Sequence, residues 1–229
     1  MTSPTRETDA RKTDARQETP HPALESHVHR YVAGTSGGRT PLLALHGTGG
    51  DETDLLPLAG LVAPQAAILS PRGAVLENGM PRFFRRLAEG VFDEADLETR
   101  THALADFVEA ARAHYGLPAP IALGFSNGAN IAAAMLLLRP ESLSGAILIR
   151  PMVPFAEPPA SSPLDQVPVL VLSGSMDPLI AEDQPARLAA SLSARGAVVE
   201  RRTVPAGHGL SQADVTLARA WYEREVAGA

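Results

Sequence analysis

Residues 121–138 read IALGFSNGANIAAAMLLL, and the fold is decided here. The first five residues are an apolar run of strand length, and from Asn127 onward alanine and leucine, good helix formers, dominate. At the junction, Gly124-Phe125-Ser126-Asn127-Gly128 matches G-x-S-x-G. A serine on so tight a strand-to-helix turn is held in a strained backbone conformation, and its hydroxyl stands clear of the sheet. The two glycines let neighbouring backbone approach where a side chain would obstruct it. The helix N-terminus aims free N–H groups at negative charge developing near Ser126. The same pentapeptide also fits a serine that only caps a helix. The surrounding chain separates the two readings.

Working outward, residues 26–32 alternate like an edge strand, and residues 34–38 form a turn. Residues 41–45 (PLLAL) and 66–69 read as strands buried on both faces. A helix is expected from about Asp51, with Asp51, Glu52 and Asp54 at its positive end. Residues 71–96 show no period and hold several Gly and Pro, so a long loop is expected. Leu104, Phe107, Val108 and Ala111 return at helical spacing and predict a helix over residues 98–115. Strands follow at residues 146–149, 167–172 and 198–203, with helices at 127–138, 182–194 and 212–226. This alternation predicts an α/β fold with a mostly parallel, doubly wound sheet of about seven strands flanked by helices. One domain over residues 21–229 is expected, after a polar, disordered tail at residues 1–20. Only 17 residues separate the strand ending at Ile149 from the one starting at Val167, so no large cap domain is expected.

Composition narrows the chemistry. The 229-residue chain is 45% hydrophobic, with a net charge of −6, which gives nucleic acid no basic surface to bind. It contains no cysteine, which excludes disulfides, thiolate metal sites and cysteine nucleophiles. No segment offers a signal peptide or the apolar run needed to span a membrane, so stable membrane insertion is not expected and the cytoplasm is the default location.

After the strand at 41–45 comes His46-Gly47-Thr48-Gly49-Gly50. No Gly-Lys-Ser/Thr follows, and the sole lysine is Lys12, so this is not a phosphate-binding P-loop. The backbone N–H groups of Thr48 and Asn127 are expected to face the oxygen of a tetrahedral intermediate. His46 reads as a structural hydrogen-bonder under that loop. A base and its orienting acid should follow in the order Ser, Asp or Glu, His. Asp177 lies just past the strand at 167–172, on the edge where ligands gather in open α/β sheets, and is favoured over Asp165 and Asp183. His208 lies between glycines after the last strand and is the expected general base. His27 and His29 share a face but have no evident third partner, so no metal site is expected. Met152, Val153 and Phe155 are candidates for an acyl or alcohol pocket, and Leu210, two residues past His208, is a further candidate for substrate binding. Arg82, Phe83 and Phe84 could grip an aromatic or anionic substrate, or be a packed phenylalanine pair beside solvated arginines.

Four segments, LHGTGGDE at residues 45–52, GFSNGAN at 124–130, SGSMDP at 173–178 and AGHGLS at 206–211, resemble the phospholipase/carboxylesterase family of α/β hydrolases. Acyl-protein thioesterases and dienelactone-hydrolase-like enzymes are relatives. The likeness runs from about residue 25 to the end. It implies Ser126, Asp177 and His208 as a catalytic triad, with Thr48 and Asn127 as backbone oxyanion donors. Asn127 and Phe125 depart from the glutamine and the small residue usual in acyl-protein thioesterases, which argues against protein depalmitoylation. The expected activity is that of a serine carboxylesterase on small to medium acyl esters. A lysophospholipase, a thioesterase, a dienelactone-type lactonase and a hydrolase-fold protein that binds without turnover are the alternatives. No metal or organic cofactor is implied, and a homodimer is left open.

Overall fold

The computed structural model describes residues 21–35, 38–157 and 163–227. The tail expected at residues 1–20 and part of the turn at 34–38 lie outside them. In chain order the elements are β1 (His29–Val32), β2 (Leu42–Leu45), α1 (Leu56–Val62), β3 (Ile68–Pro71), β4 (Val75–Glu77) and β5 (Met80–Arg82). Then follow β6 (Arg86–Ala88), β7 (Val91–Phe92), α2 (Glu94–Tyr115), β8 (Ile121–Phe125) and α3 (Asn127–Leu138). The chain ends with β9 (Gly145–Ile149), β10 (Pro168–Gly174), α4 (Gln184–Ser193), β11 (Val198–Val204) and α5 (Gln212–Ala227).

Seven strands form one sheet in the order β1-β3-β2-β8-β9-β10-β11. Only β1 runs antiparallel, against β3. Strands β2, β3 and β9 are buried at every residue, which explains their unbroken apolar runs. Edge strand β11 instead carries Glu200, Arg201 and Arg202, charges that discourage pairing with another chain. Apolar faces of α2, α3 and α4 pack on one side of the sheet, and those of α1 and α5 on the other. Helix α3 is buried from residue 127 to residue 137, so its alanines and leucines face apolar neighbours all round. From β2 the chain steps outward to β3, then returns to place β8 on the other side of β2. The reversal leaves a crevice beyond the carboxyl ends of β2 and β8, where ligands bind in open α/β sheets.

Three expectations need correction. Residues 71–96 are not a featureless loop: they hold the antiparallel hairpins β4–β5 and β6–β7. Asn78 (φ 52°) and Gly79 (φ 80°) both adopt positive φ at the first hairpin's tip, and Asn-Gly is favoured in a two-residue turn for that reason. Helix α1 starts at Leu56 rather than Asp51, because the Asp51 carboxylate accepts from the backbone N–H and the hydroxyl of Thr53, forming a turn instead (2.7 Å each). Helix α2 starts at Glu94, ahead of residue 98, because Asp93 caps it by accepting from the Asp96 N–H. No described helix is long and apolar enough to cross a membrane.

Candidate active site

Ser126 joins β8 to α3 at φ 52° and ψ −113°. Its N–H donates to Ile149 O at the end of β9 (2.9 Å), and its carbonyl accepts from the Asn130 N–H (3.0 Å). This contorted turn requires the glycines beside it. A Cβ on Gly128 would strike the Leu45 carbonyl at the end of β2, and one on Gly124 would meet Ala129 backbone at 2.7 Å. The G-x-S-x-G spacing is therefore the footprint of α3 packed directly across the ends of β2 and β8.

The two distant partners meet this serine. His208 Nε2 lies 2.9 Å from Ser126 Oγ, and His208 Nδ1 lies 2.9 Å from Asp177 Oδ2. The other Asp177 oxygen accepts from the N–H groups of Leu179 (2.9 Å) and Ile180 (3.3 Å), so the turn after β10 aims Oδ2 at the imidazole. An Nδ1–H tautomer fits, with the proton on the carboxylate side and the Nε2 lone pair facing the hydroxyl. Asp183, by contrast, pairs with Arg187 (3.3 Å) at the surface.

A cavity of about 270 Å3 opens at this point, and Thr48, Arg82, Phe125, Ser126, Asn127, Asn130, Met152, Ile180 and His208 are among its walls. Neither the Thr48 N–H nor the Asn127 N–H has a partner among the described residues. Asn127 heads α3, where N–H groups are left over by geometry. Hairpin β4–β5 braces both positions. Gly49 N–H donates to Pro81 O (2.9 Å), Arg82 Nη1 to Thr48 Oγ1 (2.7 Å) and the Phe83 N–H to Asn127 Oδ1 (2.8 Å). His46 is structural, as expected: it is 1% exposed, its Nε2 accepts from the Gly73 N–H (2.9 Å), and Nδ1–H faces Gly47 O (2.6 Å). Burial lowers its pKa, which keeps it neutral.

The pocket expectations divide. Arg82 and Met152 line the cavity. Phe83 and Phe84 do not: both are packed in the core, because the hairpin turns their rings beneath the cavity wall. Phe155 is also a core residue, and Leu210 is exposed outside the cavity. Among the described residues, no group of three or more His, Cys, Asp or Glu could hold a metal ion. His29 bonds Tyr115 Oη at 2.9 Å instead.

Sequence reasoning missed Asn130 and Arg150. Asn130 lies four residues past Ser126 on the same helix face, a spacing that could have revealed it. Arg150 carried no local signal. Fully buried just past β9 at φ 56°, it donates to the carbonyls on both sides of His208, through Nε to Gly207 O (3.0 Å) and Nη2 to Gly209 O (3.3 Å). It also makes a two-pronged ion pair with buried Asp214 (2.8 and 2.9 Å). Asp214 in turn accepts from the Ser211 N–H (2.8 Å) and hydroxyl (2.7 Å).

Residues 29–166 match the family model described as the alpha/beta hydrolase fold. A Bacillus subtilis (strain 168) protein that carries the hydrolase name MhqD is 46% identical over 202 residues, covering 86% of this chain and 98% of its own length. A Bacillus cereus carboxylesterase superposes with a TM-score of 0.84 at 42% identity, covering 86% of this chain and 94% of that one. A carboxylesterase from Mesorhizobium loti gives 0.82 at 32% identity, covering 86% and 95%.

Proposed function

This chain belongs to the α/β-hydrolase family, and on that premise we propose that it is a serine carboxylesterase of small to medium acyl esters, with Ser126, His208 and Asp177 as its triad. One observation carries the reading: an unbroken line from Asp177 Oδ2 through the His208 ring to Ser126 Oγ, with 2.9 Å at each step. It ends in a cavity that also holds Thr48 and Asn127.

His208 Nε2 takes the Ser126 proton as Oγ attacks the ester carbonyl, and Asp177 holds the tautomer and balances the imidazolium. The N–H groups of Thr48 and Asn127 receive the developing oxyanion. Each such donor typically lowers the barrier by about 3 kcal/mol. As the intermediate collapses, His208 returns the proton to the departing alcohol, leaving an acyl group on Ser126. Water, deprotonated by His208, then releases the acid and restores the hydroxyl.

The test is labelling by a fluorophosphonate, which reacts only with an activated serine. Wild type should label, and Ser126→Ala should neither label nor keep more than about one ten-thousandth of the p-nitrophenyl butyrate kcat. A protein that only bound its ligand would not label. Activity near the parent level in Ser126→Ala would remove Ser126 from its role. Matched esters, thioesters and lactones then assign the bond.

A further inference from the structure

The walls of the catalytic cavity are uneven in charge. Arg82 and Arg86 both line it, and Glu89 is the one carboxylate among its described lining residues. Glu89 is 69% exposed and 3.8 Å from Arg86, so water screens it. Glu77 serves both arginines, at 3.1 Å from Arg82 Nε and 2.8 Å from Arg86 Nε, which leaves two guanidinium groups sharing one close carboxylate.

Arg82 is only 3% exposed. A guanidinium so deeply placed is costly unless its donors are met, and burial pulls its pKa below the ordinary value. Its Nε faces Glu77 and Phe84 O (3.2 Å), and Nη1 donates to Thr48 Oγ1. Its Nη2 bonds to nothing among the described residues and is not sealed from solvent. Asn130, 4% exposed, is in the same position. Its Oδ1 must be the atom that accepts from the Met152 N–H (2.7 Å), which fixes the amide orientation and leaves Nδ2 as an unused donor. Both side chains line the cavity that holds Ser126. Unused donors suit a ligand rich in acceptors rather than an alkyl chain.

We propose that Arg82, with the Asn130 amide as a second donor, forms a carboxylate subsite inside the catalytic cavity, so that the preferred substrates are small esters or lactones bearing a free carboxylate. The inference rests on the serine-esterase reading above and adds the substrate class. A guanidinium fork fits a carboxylate through paired N–H donors, and such charge-assisted bonds are about twice as strong as neutral ones.

The experiment compares substrates that differ only in that carboxylate. Monomethyl glutarate is set against methyl pentanoate for a charge on the acyl side, and 4-acetoxybenzoate against 4-acetoxybenzamide for one on the alcohol side. We expect wild type to favour the charged member of at least one pair by about tenfold or more in kcat/KM. Arg82→Gln should cut that ratio by about tenfold, and Arg82→Lys should restore part of it. Thr48→Val, which breaks only the tie to Arg82, should slow both members alike and leave the ratio in place. A wild type that favours the neutral member of both pairs overturns the proposal without needing any variant to fold. So does a ratio indifferent to Arg82→Gln. Either result in a protein that still labels with fluorophosphonate sinks the subsite alone, whereas absent labelling sinks the esterase reading beneath it.

Discussion

The backbone of Ser126, at φ 52° and ψ −113°, is one that an L-residue keeps only where its surroundings over-determine it. Here the constraints fall on near neighbours in sequence: Gly124 and Gly128 must lack side chains, so the turn writes itself into five consecutive letters. Arg150 holds a comparable φ of 56°, yet nothing nearby announces it, because its partners are Leu172, Gly207, Gly209 and Asp214. The same divide separates His208, betrayed by flanking glycines, from His27, whose environment is built by Phe107 and Arg100. Burial, helped by the charges of Arg100 and His29, lowers the His27 pKa from 6.5 to about 4. Between those values the unfolded chain holds a proton that the folded one refuses, so stability is whole above about pH 6.5 and is lost as the pH falls to about 4. The span corresponds to about 3 kcal/mol. Urea unfolding midpoints between pH 7 and pH 4 should show this loss, and His27→Phe, which keeps a ring against Phe107, should flatten it. An unchanged slope in that variant would assign the acid sensitivity elsewhere.

Elements joined by single side chains make the next level. The Arg150 guanidinium binds the end of β9 to the loop carrying His208 and to the first turn of α5 through Asp214. Both side chains of the ion pair are 0% exposed, so removing one partner strands a buried charge. Asp214→Asn should lower the unfolding free energy by about 3–5 kcal/mol, measured by denaturant titration. The double change Arg150→Met with Asp214→Leu separates scaffold from site. It should recover much of that stability, because apolar replacement of a buried pair is often tolerated. It should remain impaired in kcat, because the carbonyls flanking His208 have lost their donor. Full activity in the double variant would reduce the pair to a packing role. The elements that sequence resolves poorly are also those assembled from such contacts. Hairpins β4–β5 and β6–β7 have strands of three residues or two, too short for a period to show, and only Asn78-Gly79 marked the first of them.

Across the whole molecule, the sheet was legible because strands buried on both faces must be apolar throughout, and the helices between them set the parallel topology. The placement of Ser126, Asp177 and His208 followed from that topology: they lie just past the carboxyl ends of β8, β10 and β11, on one rim of the sheet. The cavity walls were less legible, since Phe92, Asn130 and Ile180 come from a hairpin, a helix and a loop that meet only in three dimensions. What covers that rim follows from chain length. Between β9 and β10, where a large cap would be inserted, the described residues contain no helix, and only residues 158–162 fall outside the description. With no large cap among the described residues, the esterase proposed above is expected to gain nothing from a lipid–water interface. Its rate on a triglyceride of short acyl chains, titrated through the solubility limit, should follow simple saturation measured on the dissolved ester. A lidded enzyme would instead accelerate once droplets form. A sharp rise at that limit would mean that some segment closes over Ser126 in solution, and the open-cleft reading would fall with it.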